Sequence, residues 1–459
     1  MLCAQDYVRC PQGGEIVLHL VRLKGCSSLG IPLLYKLLIN ITIKVHQAMY
    51  KTIFKSVAAI AILLVSLQSF SSCNCCKEEK TPKYVFLFIG DGMGLAHVAA
   101  TDSYLAYQDS CYGGSYLSFT SFPVTGLTRT WCANTGVTDS AAAGTALACG
   151  EKTDKGHLGT APDGTELKSI AYTLKEQGYQ IGIMSDGPVN HATPGAFFAR
   201  VASRKQYYDI ALQMKDCGFD FLGGSELIDR WGKKKDKEDA VGIIESDGNA
   251  DVCFGLEELK ASTAATKILL PQNPEATNDF DAADSNKNYD LSMAGLGMQT
   301  PDFVSACLET LDQDKPFFIM AEQGYIDWSS HGNNTMRVIE CVKLLDKAVR
   351  IAYEFYLKHP DETLILVTAD HETGGLTFGT QKYQTRWDVI DEYWEACGHN
   401  DSALTAEQLK KLNEDAYVGW SSHEHTGCPV PVYAIGKTAE RFTGFYENSE
   451  LPLRILGEK

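Results

Sequence analysis

Residues 84–91 read Tyr-Val-Phe-Leu-Phe-Ile-Gly-Asp, a run of six apolar or aromatic residues that ends in a glycine and a carboxylate. A short, uninterrupted apolar run of this kind is typical of a strand that is buried on both faces of a sheet. Four further runs have the same composition and are also predicted to be strands: Ile181–Met184, Phe317–Met320, Leu364–Val367 and Val430–Ile435.

Helical patterns lie between these runs, and the clearest extends from Met336 to Leu357, just before Pro360. Its apolar residues recur at helical spacing on one face: Val338, Val342, Leu345, Val349, Ala352 and Tyr356. Strands that alternate with helices predict an α/β fold. We expect a three-layer sandwich in which helices flank a large, mostly parallel central sheet.

Four of the five predicted strands run directly into acidic or polar residues. These residues are Asp91, Asp186, Glu322 with Asp327 close behind, and the pair Asp370-His371. Ligand sites in open α/β sheets form at the carboxyl ends of the strands, so we expect these side chains to converge. One or two such aspartates would be ordinary turn formers. Four of them, joined by a histidine, indicate a functional site.

The body of the chain is strongly acidic. The whole sequence has a net charge of −17, whereas residues 73–459 carry 34 basic and 56 acidic residues, a net charge of −22. Such a surface repels DNA, RNA and anionic lipid, which excludes nucleic-acid binding through a basic patch. An anionic substrate would have to meet positive charge that is supplied locally.

Residues 49–72 have the pattern of a secretory signal peptide. Lys51 and Lys55 precede an apolar run over residues 57–67, and small polar residues follow. The run is short for a dedicated membrane span, although a transmembrane anchor is the alternative. Because Met49 begins a complete signal, we interpret residues 1–48 as an upstream segment that is not translated.

The residues after the signal indicate the rest of the organisation. The segment that ends at Cys73 is similar to a bacterial lipoprotein cleavage box, so both a lipid anchor at Cys73 and simple export stay open. We expect an exported protein in the periplasm or on the envelope, with a tether over residues 73–81. Residues 82–459 are predicted to form a single domain with an insertion at about 376–420. Residues 273–288 are polar and rich in turn-forming residues, which predicts a surface loop. The spacing of their aspartates suggests a calcium loop, but the central Gly and terminal Glu of such a loop are missing.

Ser140 is a candidate nucleophile. It precedes a segment of small residues that ends at Gly150 and is predicted to be helical. The start of a helix favours an anion through its free N–H groups and its dipole. Capping of the helix by Asp139 or Ser140 is the alternative interpretation. No histidine triad is evident around Ser140, so a metal is the expected activator.

Residue types near the predicted strand ends suit metals and phosphate. Carboxylate and imidazole occur together in Asp327 with His331, in Asp370-His371 and in the segment 423–425, a combination that suits zinc. Hard oxygen ligands that suit magnesium are offered by three other residues: Asp91, Thr193 and Glu322. Arg204 has a planar guanidinium that can hold a phosphate with two hydrogen bonds.

Six segments resemble the motifs of the alkaline phosphatase family and occur in that family's order. They fall within residues 82–436: Phe86–Gly94, Val137–Ala142, His191–Pro194, Glu322–His331, Thr368–His371 and Glu424–Gly427. The resemblance implies that Ser140 is the phosphorylated nucleophile and Arg204 the phosphate ligand. It is also compatible with a homodimer.

The resemblance further implies two zinc ions and one magnesium ion. One zinc would be held by Asp327, His331 and His425, the second by Asp91, Asp370 and His371, and magnesium by Asp91, Thr193 and Glu322. Asp139, His191 and Trp328 would line the site. Four of these carboxylates together with Arg204 would give the site a charge of −3 and repel phosphate, whereas three divalent cations would change it to +3.

The sequence departs from the best-known enterobacterial members at three places. His191 stands where those members have Asp, and Trp328 stands where they have Lys. The first difference affects the third metal site, and the second removes a lysine that would otherwise help to bind phosphate. In Glu322-Gln323-Gly324, the usual glycine is shifted by one position.

The predicted function is hydrolysis of small phosphate monoesters through a phosphoserine. A phosphodiesterase or nucleotide pyrophosphatase on the same fold is the nearest alternative, although such relatives usually have a Thr nucleophile. A sulfatase would need x-Pro-x-Arg after the nucleophile, whereas residues 141–144 read Ala-Ala-Ala-Gly. A phosphate- or metal-binding envelope protein without turnover is the alternative outside the enzymes.

Overall fold

The computed structural model describes residues 81–271, 298–399 and 404–459, together with Thr42 and Lys44. Residues 80–459 form one compact unit, and all elements named below belong to it. The predicted signal peptide, Cys73 and the loop at 273–288 lie outside the described residues. Among the described residues, no helix is long and apolar enough to cross a membrane.

Fourteen strands occur in the described residues. In chain order they are β1 Tyr84–Gly90, β2 Val124–Arg129, β3 Gln180–Ser185, β4 Phe221–Gly223, β5 Ala250–Phe254, β6 Thr266–Leu270, β7 Phe317–Gln323, β8 Thr363–Thr368, β9 Glu372–Thr373, β10 Leu376–Phe378, β11 Val418–Trp420, β12 His425–Thr426, β13 Val430–Gly436 and β14 Gly444–Glu447.

The described α-helices are α1 Leu95–Gln108, α2 Ser140–Cys149, α3 Ile170–Glu176, α4 Ala192–Phe198, α5 Tyr207–Leu212, α6 Ala240–Glu245, α7 Leu256–Ala261, α8 Thr300–Thr310, α9 Tyr325–His331, α10 Thr335–Lys358, α11 Trp387–Ala396, α12 Ala406–Asp415 and α13 Leu451–Ile455. The predicted helix over residues 336–357 is α10, and five of its six predicted face residues are buried.

Ten strands form one sheet in the order β14-β2-β13-β8-β1-β7-β3-β4-β6-β5. Its strands are parallel except β13, which is antiparallel to both of its neighbours, β8 and β2. The predicted α/β fold with a large, mostly parallel sheet is therefore confirmed. All five predicted strands belong to this sheet.

The central strand β1 shows why the fold has three layers. Val85, Leu87 and Ile89 pack into a hydrophobic cluster on one face of the sheet. Tyr84, Phe86 and Phe88 alternate with them and pack into a second cluster on the other face. Because successive side chains of a strand point to opposite faces, a continuous apolar run needs a helical layer on each side.

The parallel register brings the ends of the central strands to one edge. Ile89 pairs with Glu322 on β7 and with Thr368 on β8, and Glu322 also pairs with Ser185 on β3. The polar residues that follow β1, β3, β7 and β8 therefore emerge side by side, as the parallel arrangement predicts.

The described part of residues 376–420 forms a small substructure. β10 and β11 pair antiparallel, and α11 and α12 lie between them in the chain. Trp387, Ile390 and Leu412 from this segment share a hydrophobic cluster with Tyr104 on α1 and Met336 on α10. The insertion predicted at 376–420 thus packs onto helices that flank the sheet.

Candidate active site

Ser140 is the first residue of α2, and its side chain does not cap that helix. Asp139 is the cap, because its Oδ1 accepts a hydrogen bond from the Ala142 N–H at 3.1 Å. The Ser140 hydroxyl lies 3.3 Å from Nε2 of His371. Asp139 therefore caps the helix, and the Ser140 hydroxyl points toward His371 at the strand ends.

The small residues of α2 bring it close to α4, the helix that carries Thr193. A Cβ added at Gly144 would lie 3.2 Å from Cβ of Ala196 and 3.4 Å from Cα of Thr193. The two helix starts therefore lie side by side. This contact explains the run of small residues after Ser140 by helix packing.

Arg204 is held in place by two side chains. Its Nη1 donates to Oδ2 of Asp139 at 3.1 Å, and its Nη2 lies 3.1 Å from Nε2 of His191. Burial opposes ionisation of Asp139, but Arg204 and two backbone N–H groups hold its pKa below the ordinary value. Burial and Arg204 lower the pKa of His191 to about 3, so its imidazole is neutral and accepts the hydrogen bond.

Asp327, His331 and His425 converge at one point. His331 Nε2 lies 3.3 Å from Asp327 Oδ2 and 3.2 Å from Nε2 of His425. The opposite ring nitrogens face backbone carbonyls, with His331 Nδ1 2.5 Å from O of His423 and His425 Nδ1 3.0 Å from O of Thr138. If each Nδ1 carries the proton, both Nε2 atoms are free to bind a metal.

Asp91, Asp370 and His371 form a second group next to the first. Nε2 of His371 lies 3.3 Å from Oδ1 of Asp91 and 3.3 Å from Oδ2 of Asp370. Two sets of three residues each have ligand atoms within 4.8 Å of one another: Asp327, His371 and His425, and Asp91, Asp370 and His371. His371 is common to both sets, so the two groups are neighbours.

Four buried oxygen atoms at this edge have no hydrogen-bond partner among the described residues: Asp91 Oδ1, Thr193 Oγ1, Glu322 Oε1 and Asp370 Oδ2. Buried polar atoms in folded proteins are nearly always hydrogen-bonded. Carboxylate and hydroxyl oxygens without donors fit hard divalent cations, and the two groups that combine carboxylate with imidazole fit zinc. The residues present therefore fit the implied metals.

The pKa values describe the same excess of negative charge. Burial and the neighbouring carboxylates raise the pKa of Asp91 well above its usual range, and burial and Asp327 raise that of Asp370 to about 8. Burial would lower the pKa of His331, but Asp327 raises it to about 9. Divalent cations between these groups would relieve the repulsion among the carboxylates.

Gly92 permits the close packing of the two groups. Its φ is +72°, and an added Cβ would lie 2.8 Å from Oγ1 of Thr373 and 2.9 Å from Cα of Asp327. Its N–H donates to Oδ1 of Asp370 at 3.1 Å. A side chain at this position would displace Asp327 and Thr373.

His191 and Trp328, which were predicted to line the site, contact each other. The rings of His191 and Trp328 meet edge to face with centroids 5.3 Å apart, and Trp328 is buried. His423 is exposed, and its Nδ1 lies 2.9 Å from O of His331. It therefore lies at the rim.

Thr373 is a site residue that was not predicted from the sequence. Its hydroxyl donates to Oδ1 of Asp327 at 2.5 Å and lies 3.2 Å from Nδ1 of His371, so one side chain contacts both metal-binding groups. The backbone of Thr373 on β9 pairs with that of His425 on β12. Its place two residues after His371 is the only signal that the sequence offered.

Comparisons with known proteins identify the family. The family model described as alkaline phosphatase matches residues 82–230 and 299–456. Among curated proteins, the chain is 28% identical to alkaline phosphatase 4 of Bacillus subtilis (strain 168), over 86% of this chain and 94% of the relative. It is 26% identical to the alkaline phosphatase of Schizosaccharomyces pombe, over 83% of this chain and 82% of the relative.

Solved structures lead to the same family. Alkaline phosphatase from the Antarctic bacterium TAB5 superposes with a TM-score of 0.64 at 28% identity, over 82% of this chain and 98% of that one. A mutant of the TAB5 enzyme, with Mg bound in its M3 site, gives a TM-score of 0.62 at 27% identity, over 83% and 98% of the two chains. Because the family model covers more than half of the chain, this protein is an enzyme of the alkaline phosphatase family.

Proposed function

We propose that this enzyme hydrolyses phosphate monoesters through a phosphoserine at Ser140. The observation that carries the proposal is the position of the Ser140 hydroxyl. It lies 3.3 Å from Nε2 of His371 and next in the chain to Asp139, which holds Arg204. A hydroxyl nucleophile, a guanidinium for phosphate and a set of metal-binding side chains therefore surround one point, as phosphoryl transfer requires.

The metal assignments belong to the same proposal. One zinc is assigned to Asp327, His331 and His425, the second to Asp91, Asp370 and His371, and magnesium to Asp91, Thr193 and Glu322. When bound, cations of this kind lower the pKa of a hydroxyl or a water and stabilise negative charge on the reacting oxygens. The four buried oxygens without donors support these assignments.

Ser140 and Arg204 perform the first half of the reaction. Oγ of Ser140 attacks phosphorus, a new O–P bond forms, and the bond to the ester oxygen breaks in line so that the alcohol leaves. Arg204 has five N–H donors, of which Asp139 and His191 occupy two. Its remaining donors bind oxygens of the phosphoryl group and keep phosphorus facing Ser140.

In the second half, water attacks phosphorus and the bond to Ser140 breaks, which restores the hydroxyl and releases inorganic phosphate. Asp139 keeps Arg204 in the same orientation through both steps, because its carboxylate is also fixed by the N–H groups of Ala142 and Gly156 at 3.1 and 3.0 Å. A guanidinium fixed in this way stabilises charge without reorganising during the reaction.

We also propose that residues 49–72 direct export to the periplasm or envelope and that residues 82–459 act as a single catalytic domain. The basic start and apolar run of residues 49–67 support export. The mass of the mature N-terminus distinguishes the outcomes: an acylated Cys73 indicates a lipoprotein, and a plain start nearby indicates simple export. A chain that retains Cys3 would contradict both.

The variant Ser140→Ala tests the nucleophile. We expect it to lose hydrolysis of a chromogenic monoester by on the order of 10³-fold or more, because no other hydroxyl takes its place. A matched control is Ser169→Ala, which removes a buried hydroxyl that donates to O of Phe197 and should retain activity. Chelator-sensitive activity above a trace in Ser140→Ala would reject the assignment. Faster hydrolysis of a diester than of a monoester by the unmodified enzyme would favour the phosphodiesterase alternative.

A further inference from the structure

Asp186 directly follows β3, yet it is not among the residues that form the two metal-binding groups. Its Oδ1 accepts a hydrogen bond from the Gly324 N–H at 2.6 Å. Its Oδ2 accepts one from the side-chain amide of Gln323 and a longer one, 3.5 Å, from the Tyr325 N–H. Asp186 is only 3% exposed. Both oxygens of this buried carboxylate are therefore occupied by donors from one turn of the chain.

That turn connects β7 to α9, and residues on both sides of it belong to the site. Glu322 lies just before the turn on β7, and α9 carries Asp327 and His331 just after it. Asp186 contacts all three residues between Glu322 and Ile326. The direction in which the chain leaves β7 decides where Asp327 and His331 lie relative to Glu322.

Gln323 is fixed from two sides. Its amide nitrogen donates to Asp186, and its Oε1 accepts from Oγ1 of Thr300 at 2.7 Å. This pairing explains the sequence Glu322-Gln323-Gly324, in which the usual glycine is shifted by one position. The glutamine at 323 supplies a side-chain donor for Asp186, and the glycine at 324 brings its N–H to 2.6 Å from the same carboxylate.

Ser185, next to Asp186 in the chain, contacts Glu322, one of the proposed metal ligands. Its hydroxyl donates to Oε2 of Glu322, and the Gly187 N–H donates to the same hydroxyl at 2.9 Å. The backbone N–H of Asp186 donates to O of Glu322 at 3.3 Å. Ser185, the last residue of β3, and Asp186, the residue after it, therefore hold the four consecutive residues 322–325.

We propose that Asp186 is a positioning residue for metal binding, which fixes the turn after β7 and so sets the placement of Asp327 and His331 relative to Glu322. The inference rests on the proposed metal assignments. Asp186 itself would bind no metal, because its oxygens are filled by N–H donors. Its removal would leave Gly324 N–H and the Gln323 amide without their acceptor and free the turn to move.

The test is zinc affinity, measured by chelator competition on the purified full chain, for the unmodified protein and for Asp186→Ala. We expect the alanine variant to bind zinc about 10- to 100-fold more weakly, the range typical of lost outer contacts in metal sites. Asp186→Asn should lose less, because its amide oxygen still accepts from Gly324 N–H. Thermal unfolding of the metal-free proteins measures the stability that each change costs.

Asp346→Ala is the matched control. Asp346 is also a buried carboxylate, 4% exposed, but it accepts hydrogen bonds from Ser118 and pairs with Arg350 at 2.7 Å. We expect it to lower the unfolding temperature while zinc affinity is unchanged. Zinc affinity of Asp186→Ala equal to that of the unmodified protein would overturn the inference, and so would an equal loss in Asp346→Ala.

Two further results separate the remaining outcomes. If Asp186→Ala does not fold, Gln323→Ala decides, because it removes one donor and leaves the contact between Asp186 and Gly324; weakened zinc binding supports the inference and unchanged binding overturns it. If the unmodified protein binds no zinc, the metal assignments of the proposed function fail. A failure of the inference alone leaves zinc binding by the unmodified protein intact.

Discussion

The two halves of the site balance their charges in different ways. In the phosphate half, which consists of Asp139, Ser140, His191 and Arg204, the carboxylate and the guanidinium pair with each other at 3.1 Å. The metal half consists of the eight side chains assigned to metals, and it contains four buried oxygens that have no donor among the described residues. The chain alone therefore organises the phosphate half, whereas the metal half, under the proposed assignments, needs cations to complete it.

The pKa values express this difference. Arg204 keeps the pKa of Asp139 below its ordinary value although burial opposes ionisation. Burial and like charges raise the pKa of Asp91 and Asp370 in the metal half. Without a cation between them, these buried carboxylates would destabilise the folded protein. This difference supports the metal assignments proposed above.

Removal of the metals should have the largest effect of the changes considered, and it should affect the two halves differently. We expect a chelator to reduce monoester hydrolysis by at least about 10³-fold, because the metals supply several kcal/mol of stabilisation to the reacting oxygens. Hydrogen exchange should rise in α9 and in the β9–β12 pair while it stays unchanged in α2. The activity should return when zinc and magnesium are restored.

An equal rise of hydrogen exchange in α2 would contradict the distinction between the halves, since it would mean that the phosphate half also depends on the cations. Full activity after exhaustive chelation would contradict the metal assignments themselves.

Substitution of Arg204 should damage the phosphate half alone. We expect Arg204→Ala to reduce kcat/KM by about 10²- to 10³-fold, the usual cost of one charge-stabilising donor group, with zinc content unchanged. Arg204→Lys keeps the charge but loses the planar guanidinium, so its kcat/KM should lie between those of the unmodified enzyme and Arg204→Ala. Metal analysis of each variant is the control, and a loss of zinc in Arg204→Ala would show that the two halves are coupled.

Thr373 should affect the metal half by a smaller amount. Its hydroxyl contacts Asp327 and Nδ1 of His371, so Thr373→Val removes both contacts at almost constant volume. We expect about a 10-fold loss of zinc affinity, measured by chelator competition. Thr373→Ser keeps the hydroxyl and should bind zinc as the unmodified protein does. If the valine and serine variants bind zinc equally, the hydroxyl does not orient these ligands.

Much of the site could be predicted from the sequence because several of its residues follow apolar strands, whose carboxyl ends meet at one edge of a parallel sheet. Asp91, Glu322 and Asp370 each follow a recognisable apolar strand, and parallel strands bring such positions to one edge. Asp186 also follows an apolar strand, yet it contacts a turn of the backbone. Whether a strand-end carboxylate meets a ligand or N–H donors depends on the direction of a neighbouring turn, which no local pattern encodes.

The sheet was predicted only in part for a related reason. β1, β3, β7 and β8 are continuous apolar runs, whereas β2 reads Val-Thr-Gly-Leu-Thr-Arg and is partly exposed. Its strand conformation comes from pairing with β13 and β14, which are distant in the chain. Strand preference depends strongly on such neighbours, so β2 and the antiparallel direction of β13 could not be predicted.

The position of β13 has a consequence for how the site is assembled. This strand comprises residues 430–436, fills the gap between β8 and β2, and lies just after His425 in the chain. Until β13 pairs with both neighbours, β8 has an open edge and the β2–β14 pair is not joined to the rest of the sheet. Because His425 is only five residues before β13, the pairing of this strand also brings His425 to Asp327 and His331, so assembly of the sheet and assembly of the site are coupled.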